Sequence, residues 1–284
     1  MIFKIKITMR YIIFIISFIS LISCKSEINN KLKLTNYIGN LEIEKDRYLP
    51  FNFSVINDSV LVVKNSSELV EFSIEYSRDS IFINSKVFEG YIKGVLNDNK
   101  IEGVFVIESL DRYVPFSSYK SKKRFNIDFE ENKKLISNTW KFIFNPNEEN
   151  ASASIGLFNS IGQNEIGATF RTTTGDYGYM QGGYKNGNIV LSTFNGVRAY
   201  LLEAKLSNDS IKGILYAGNH SKTIIEGVLD NINKNFPKAT VIGCSIAGEI
   251  SDVTVNDNTV SLTAIELEKT TIKKNSSIKN AIKY

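Results

Sequence analysis

Thiols and imidazoles are almost missing from this chain: its 284 residues hold two cysteines, Cys24 and Cys244, and one histidine, His220. A C-x-x-C redox pair is therefore absent, and three such residues scattered along the chain do not make a tetrahedral His/Cys zinc site. No calcium-loop spacing occurs either. Proline is scarce, at four residues, as is tryptophan, at one. A strong excess of one charge is also lacking, with 34 Lys and Arg against 30 Asp and Glu. No apolar run is long enough to cross a bilayer comfortably: the longest, Tyr11–Ile22, is broken by Ser17 and Ser20, whereas a hydrocarbon core of about 30 Å takes about 20 residues.

That short run has a different reading. Lys4, Lys6 and Arg10 precede or flank it, and no acid occurs before Glu27. A basic start, a brief apolar stretch and a small residue before a cleavage point are the parts of an export signal. Here the stretch ends Leu21-Ile22-Ser23-Cys24, which resembles the lipobox of bacterial lipoproteins. The resemblance implies cleavage before Cys24 and attachment of a diacylglycerol (and commonly a palmitate) to it. At about 0.8 kcal/mol per buried methylene, one chain holds marginally and two or three hold stably. Loss of residues 1–23 removes three cations and no anion, so the net charge falls from +4 to +1. The basicity belongs to the signal, and no nucleic-acid partner is expected. The expected location is the bacterial cell envelope, lipid-anchored and facing the periplasm or the cell surface, with the membrane as one partner. With Cys24 acylated, Cys244 is left without a second thiol.

Residues 24–35 are polar and read as a tether. From Tyr37 onward, short alternating runs rich in Ile, Val, Phe and Tyr are punctuated by Asn57-Asp58, Asp98-Asn99, Asn186-Gly187 and Asn208-Asp209. Such pairs tolerate the left-handed backbone of tight hairpins. The predicted fold is mainly β: an antiparallel meander, as a β-sandwich or lipocalin-like barrel, in one unit or two related ones, with a short C-terminal α/β segment. Residues 79–106 align with 187–216, placing Gly103 opposite Gly213, so an internal repeat is expected. The units are drawn at 36–130 and 137–220, joined through the charged stretch 120–134. After His220, Ile224, Ile225, Val228, Leu229, Ile232 and Phe236 fall at helical spacing, which predicts a helix over 222–235 with Ser221 as its N-cap. A buried strand at 239–245, a hairpin within 254–272 and a polar tail at 273–284 complete the chain.

Two family resemblances follow from quoted strings. YIGNLEIEKDRYLPFNFSV (37–55), NTWKFIF (138–144), TFRTTTGDYGYMQGG (169–183), LSTFNGVRAYLLEAKL (191–206) and IKGILYAGNH (211–220) resemble the N-terminal β-domain of lipoprotein thioredoxin-like disulfide reductases of the TlpA/ResA type. In that family a C-x-x-C domain follows. Disulfide exchange needs an attacking and a resolving thiol, so the likeness implies the β-region, or an accessory role beside a separate reductase, and not the chemistry. FPKATVIGCSIAGEISDVTVNDNTVSLTAIELEKT (236–270) resembles part of the FIST domain, a sensory input domain of bacterial signalling proteins. This implies small-ligand binding by 221–272, with Cys244, Ser245 and Glu249 beside the ligand.

Asp176 and Tyr177, in Thr173-Thr174-Gly175-Asp176-Tyr177, are further candidates for a ligand or partner loop. The plainer reading is a tight turn, with Asp176 capping backbone N–H groups. Phe194-Asn195-Gly196 also reads as a turn. Tyr177, Tyr179, Tyr184 and Tyr200 read as core or as the lining of a barrel cavity. His220 has no nucleophile or orienting acid near it in sequence, and no catalytic triad is visible. The expectation is a non-enzymatic binding or scaffold module without a cofactor. The alternatives are a FIST-type sensor of a small molecule and an envelope partner of a thiol–disulfide reductase.

Overall fold

The structure is a computed structural model that describes residues 31–77, 80–218, 220–230, 249–251 and 254–256. The expected export signal with Cys24, most of the expected tether, and Cys244 and Ser245 lie outside the described residues.

Eight consecutive antiparallel strands close the first barrel: β1 (Asn36–Glu44), β2 (Arg47–Asn57), β3 (Val60–Asn65), β4 (Glu68–Ser77), β5 (Ser80–Ser85), β6 (Tyr91–Asn97), β7 (Lys100–Ile107) and β8 (Arg112–Lys120). β1 pairs with both β2 and β8, which shuts the ring. The sequence alternation sets the inside. Leu49, Phe51, Phe53 and Val55 of β2, and Val70, Phe72 and Ile74 of β4, are all buried at every second position, as the two-residue period of a strand requires.

After a connecting segment and the short α1 (Lys133–Ile136), a second ring forms. It comprises β9 (Thr139–Phe144), β10 (Ser152–Ser160), β11 (Glu165–Thr172), the two-residue β12 (Gly175–Asp176), β13 (Met180–Lys185), β14 (Asn188–Phe194), β15 (Ala199–Ser207), β16 (Ser210–Ala217) and β17 (Lys222–Leu229). β9 pairs with β10 and β17, and β10 pairs with β11, so eight of these strands close while β12 is an appendage. The choice left open between sandwich and barrel is thus settled as two eight-stranded barrel units.

The repeat lies in register with this topology. Its first copy spans β5–β7 and its second β14–β16, which are the fifth to seventh strands of their barrels. Gly103 pairs with Gly94, and Gly213 with Ala204. A Cβ at Gly103 would stand 2.1 Å from the Lys93 carbonyl oxygen, and one at Gly213 2.4 Å from that of Glu203. Both glycines allow the same close approach of neighbouring strands. The first strands match as well. Leu32 precedes Tyr37 by five residues, and Leu135 precedes Trp140 by five, all four buried. The Tyr37 hydroxyl donates to the Lys33 carbonyl (3.2 Å), and Trp140 Nε1 donates to the Leu135 carbonyl (3.2 Å). Each barrel is stoppered at its starting end by a leucine and a large ring whose polar atom is satisfied by the entering chain.

The far end of the first barrel is closed by the wall of the second. On β14–β16 both faces are buried at the end next to the first barrel, while Glu203, Lys205 and Lys212 farther along are exposed. Ile189, Leu191, Leu202 and Leu215 face the second core, while Phe194, Ala199, Leu201 and Tyr216 join the first. Phe194 reaches in to stack on Phe51 at 4.3 Å and meets Phe105 edge-on at 5.0 Å. Asn65 imitates a strand partner for it, donating to the Phe194 carbonyl (2.7 Å) and accepting from its N–H (3.3 Å). Gly196 follows at φ +98, and a Cβ there would meet Ser85 and Phe72. The expected Phe-Asn-Gly turn is present, with Asn195 Oδ1 accepting from the Arg198 N–H (2.8 Å), but its phenylalanine belongs to the other barrel.

Arg124, from the connecting segment, is the charged counterpart of this plug. Its guanidinium is buried and donates to Asn52 Oδ1 (2.7 Å) on β2, to the Lys64 carbonyl on β3, and to the Ser192 carbonyl (2.8 Å) on β14. Burial pushes it down to about 9, and the Glu165 carboxylate opposes that shift. It remains cationic at neutral pH with its donors aimed at carbonyls, the pairing that makes burying a guanidinium tolerable.

The helix expected over 222–235 is a correction. Residues 222–229 form β17, and 231–235 lie outside the described residues. The apolar residues that mimic a helical face are Ile224, Ile225, Val228 and Leu229, and they divide between the two sides of a strand. Ile225 is fully buried, whereas Ile224 is 49% and Val228 56% exposed. The open seam between β9 and β16 captures this β-branched segment, because leaving it would strand two rows of backbone groups. The second unit therefore runs to Leu229 and not 220, and Ser221 lies in the β16–β17 turn and is no helix cap. β18 (Glu249–Ser251) pairs with β19 (Thr254–Asn256), and residues 257–272 of the hairpin expected within 254–272 lie outside the described residues.

Substitution can separate these readings. Ile225→Ala is expected to cost about 2–5 kcal/mol and Ile224→Ala well under about 1 kcal/mol in urea denaturation; equal losses would restore a helix. Phe194→Ala is expected to cost about 3–5 kcal/mol, read as a lowered denaturation midpoint, and an unchanged midpoint would show that the barrels do not share a core.

Candidate functional site

With one barrel stoppered at both ends, the open end of the second is the place to look for a site, since barrel mouths are favoured ligand positions. β9, β11, β14 and β16 all run toward this end, and three connections surround it: Thr173–Tyr179, Asn195–Arg198 and Gly218–Ser221. Between them lies a cleft of about 220 Å³. Tyr177, Tyr200 and Leu215 line its barrel side, and Val197, Ala199 and Ala217 its apolar walls. Arg198 edges it from the β14–β15 turn, and Arg112 from the first barrel, at the start of β8.

The floor is aromatic and rigid. Tyr177 lies 5.1 Å from Tyr200 and meets Phe144 edge-on at 5.3 Å, and Phe144 meets Phe170 at 5.6 Å. This column continues to Phe142, so the interior below the mouth is filled by side chains. Burial, with the neighbouring Tyr200 phenol, raises the Tyr177 hydroxyl above the ordinary tyrosine range, and Arg198 opposes this. Of the four tyrosines taken together from sequence, Tyr177 and Tyr200 meet here. Tyr184 packs against the same core and bonds through its carbonyl to the Glu130 N–H (2.8 Å).

Asp176 does what a turn asks of it. Its Oδ1 accepts from the Gly178 N–H (2.9 Å), and Thr172 Oγ1 closes the loop by donating to the Gly175 carbonyl (2.8 Å). Arg198 Nη1 donates to the Asp176 carbonyl (2.7 Å) and stands 3.9 Å from its carboxylate. Arg198 is thus half-satisfied and held in place. The Arg112 guanidinium has no hydrogen bond or ion pair among the described residues. Asp176 and Tyr177 are consequently brought together with two arginines that the sequence did not single out. Glu249 is placed on β18, with Cys244 and Ser245 outside the described residues.

Glu68, at the start of β4, was also missed. It is half-buried, and its Oε2 is enclosed without a hydrogen-bond partner among the described residues. Burial raises its carboxyl above the ordinary range, the Asp176 charge raises it further, and Arg198 opposes both. His220, at φ +65 in the β16–β17 turn, bonds through Nδ1 to the Ile43 carbonyl and sits at the junction of the barrels. A second depression, of about 180 Å³, lies by α1 and is lined by Glu130, Glu131 and Glu165. No cluster of three metal-binding side chains occurs among the described residues.

Glu68 generates a pH prediction. A carboxyl raised by folding binds its proton more tightly in the native state, so stability falls as pH rises from its ordinary range through its raised native value. Glu68→Gln is expected to raise the melting temperature at pH 7 by about 1–2 °C, a small shift because the group is partly solvated. The gain should vanish near pH 4, and a pH-independent difference would refute the assignment.

Comparison with known proteins adds one finding. Residues 213–283 match the FIST N domain family, a quarter of the chain. The matched stretch begins inside β16 and includes β17, so its first part is built into the second barrel. No curated protein and no solved structure matches the chain.

Proposed function

We propose that this protein is a small-ligand sensor of the bacterial envelope, anchored by lipid on Cys24 and free of catalytic chemistry of its own. The observation that carries the reading is the match of residues 213–283 to the FIST N domain, a family of sensory input domains. The string GCSIAGEI (243–250) supplies the expected contacts, with Cys244, Ser245 and Glu249 beside the ligand. The two barrels form the platform. Tyr216 of β16, the strand in which the matched stretch begins, belongs to the core of the first barrel together with Leu32, just after the tether. Support for the anchor comes from the sequence alone: the basic start, the short apolar run and Ser23-Cys24.

A thermal-shift screen of the purified full-length chain against amino acids and related small metabolites tests the sensor. A ligand at a hundredfold excess over its Kd stabilises by about 2.7 kcal/mol, and Cys244→Ala or Glu249→Gln is expected to abolish that shift. A well-folded sample that responds to none of them would overturn the reading. Cys24→Ala is expected to move the protein from the membrane to the soluble fraction; unchanged fractionation would remove the anchor.

A further inference from the structure

We propose that the mouth of the second barrel is a binding site for a small organic monoanion, a carboxylate carried on a planar apolar body. This site is separate from the GCSIAGEI segment and does not depend on the FIST reading.

Closure singles it out. The first barrel is sealed by Leu32 and Tyr37 at one end and by Phe194 at the other, and the second is sealed at its base by Leu135 and Trp140. The remaining mouth opens into a cleft in which every element of a carboxylate site is present. Arg112 offers a planar fork of donors that is unengaged among the described residues, suited to two carboxylate oxygens. Arg198 is held by the Asp176 carbonyl (2.7 Å), so little side-chain freedom is lost when it accepts a second partner. The two come from different barrels, and the site exists only because the barrels are docked.

Charge decides the class of anion. The Asp176 carboxylate, 3.9 Å from Arg198 Nη1, and Glu68 beyond it already take up part of the positive field. What is left suits one negative charge and disfavours a phosphate dianion. The rings of Tyr177 and Tyr200, 5.1 Å apart and tilted by 46°, present an apolar face for a planar body. Size sets the upper limit. A cleft of about 220 Å³ has the bulk of about seven waters at roughly 30 Å³ each and falls below the ~300–1,000 Å³ of sites for drug-sized ligands.

Benzoate, its neutral isostere benzamide, and inorganic phosphate are the probes. Binding to the full-length chain in detergent is followed by saturation-transfer NMR and calorimetry. Benzoate is expected to saturate, with benzamide and phosphate at least tenfold weaker. Arg112→Gln and Arg198→Gln are each expected to weaken benzoate at least tenfold and to flatten its salt dependence. Because Arg198 also holds the Asp176 loop, Arg112→Gln, which breaks no side-chain hydrogen bond or ion pair among the described residues, keeps the test decisive if the other variant fails to fold. The proposal is overturned if benzoate does not saturate at millimolar concentration, if benzamide binds equally well, or if phosphate binds more tightly. It is also overturned if Arg112→Gln binds benzoate as the parent does. Binding lost in Cys244→Ala but kept in Arg112→Gln would move the ligand to the C-terminal segment, sinking this site while sparing the sensor.

Discussion

Everything in this molecule depends on β14–β16 serving two cores at once at the end where they meet the first barrel. A strand in a free-standing barrel alternates between core and water. Here the alternation persists, but several outward residues, among them Phe194, Leu201 and Tyr216, complete the core of the first barrel. The first barrel needs that wall because its own side chains do not fill its far end, and Phe194 occupies the space among Phe51, Phe72 and Phe105. Burial of one such ring contributes about 1.5–3 kcal/mol. It also demands that the nearby backbone find partners, and Asn65 and Arg124 supply them. Apolar insertion and polar satisfaction come from different segments and reinforce each other, which makes the pair of barrels one folding problem.

The β character, the hairpin turns and the repeat were legible because each rests on a local signal. Asp98, Asn99 and Asn186 adopt the positive φ that their sequence context announces, and Gly103 and Gly213 occupy equivalent strand positions. The 222–235 helix was misread because Ile224, Ile225, Val228 and Leu229 fit a helical face and the two faces of a strand about equally well over so short a run. What decided the matter is non-local: β9 and β16 offer unpaired edges about 80 and 10 residues away. A single chain pass does not see such a vacancy.

The site was legible in half. Asp176 and Tyr177 stood out because Thr-Gly-Asp-Tyr has turn chemistry of its own. Arg112, Arg198 and Glu68 carry no local signature, and each looks like an ordinary charged residue next to a hairpin. They converge because three separate turns arrive at one end of a barrel, two of them from the other barrel. Arg124 was hidden for a related reason. Within KSKKRFNIDFEENKK it reads as one more solvated cation, and only the docking of the barrels turns it inward.

The stopper of the first barrel has a mechanical meaning. Leu32 is sealed into the base, and Lys33 is bonded to the Tyr37 ring through both its N–H (3.1 Å) and its carbonyl (3.2 Å). Any load on the chain upstream of Leu32 is therefore delivered to the cork of the barrel before it reaches a strand. A pull there is resisted by buried apolar surface and a hydrogen-bonded ring in series. The stretch of chain that leads into the fold is also the stretch that keeps its first barrel shut.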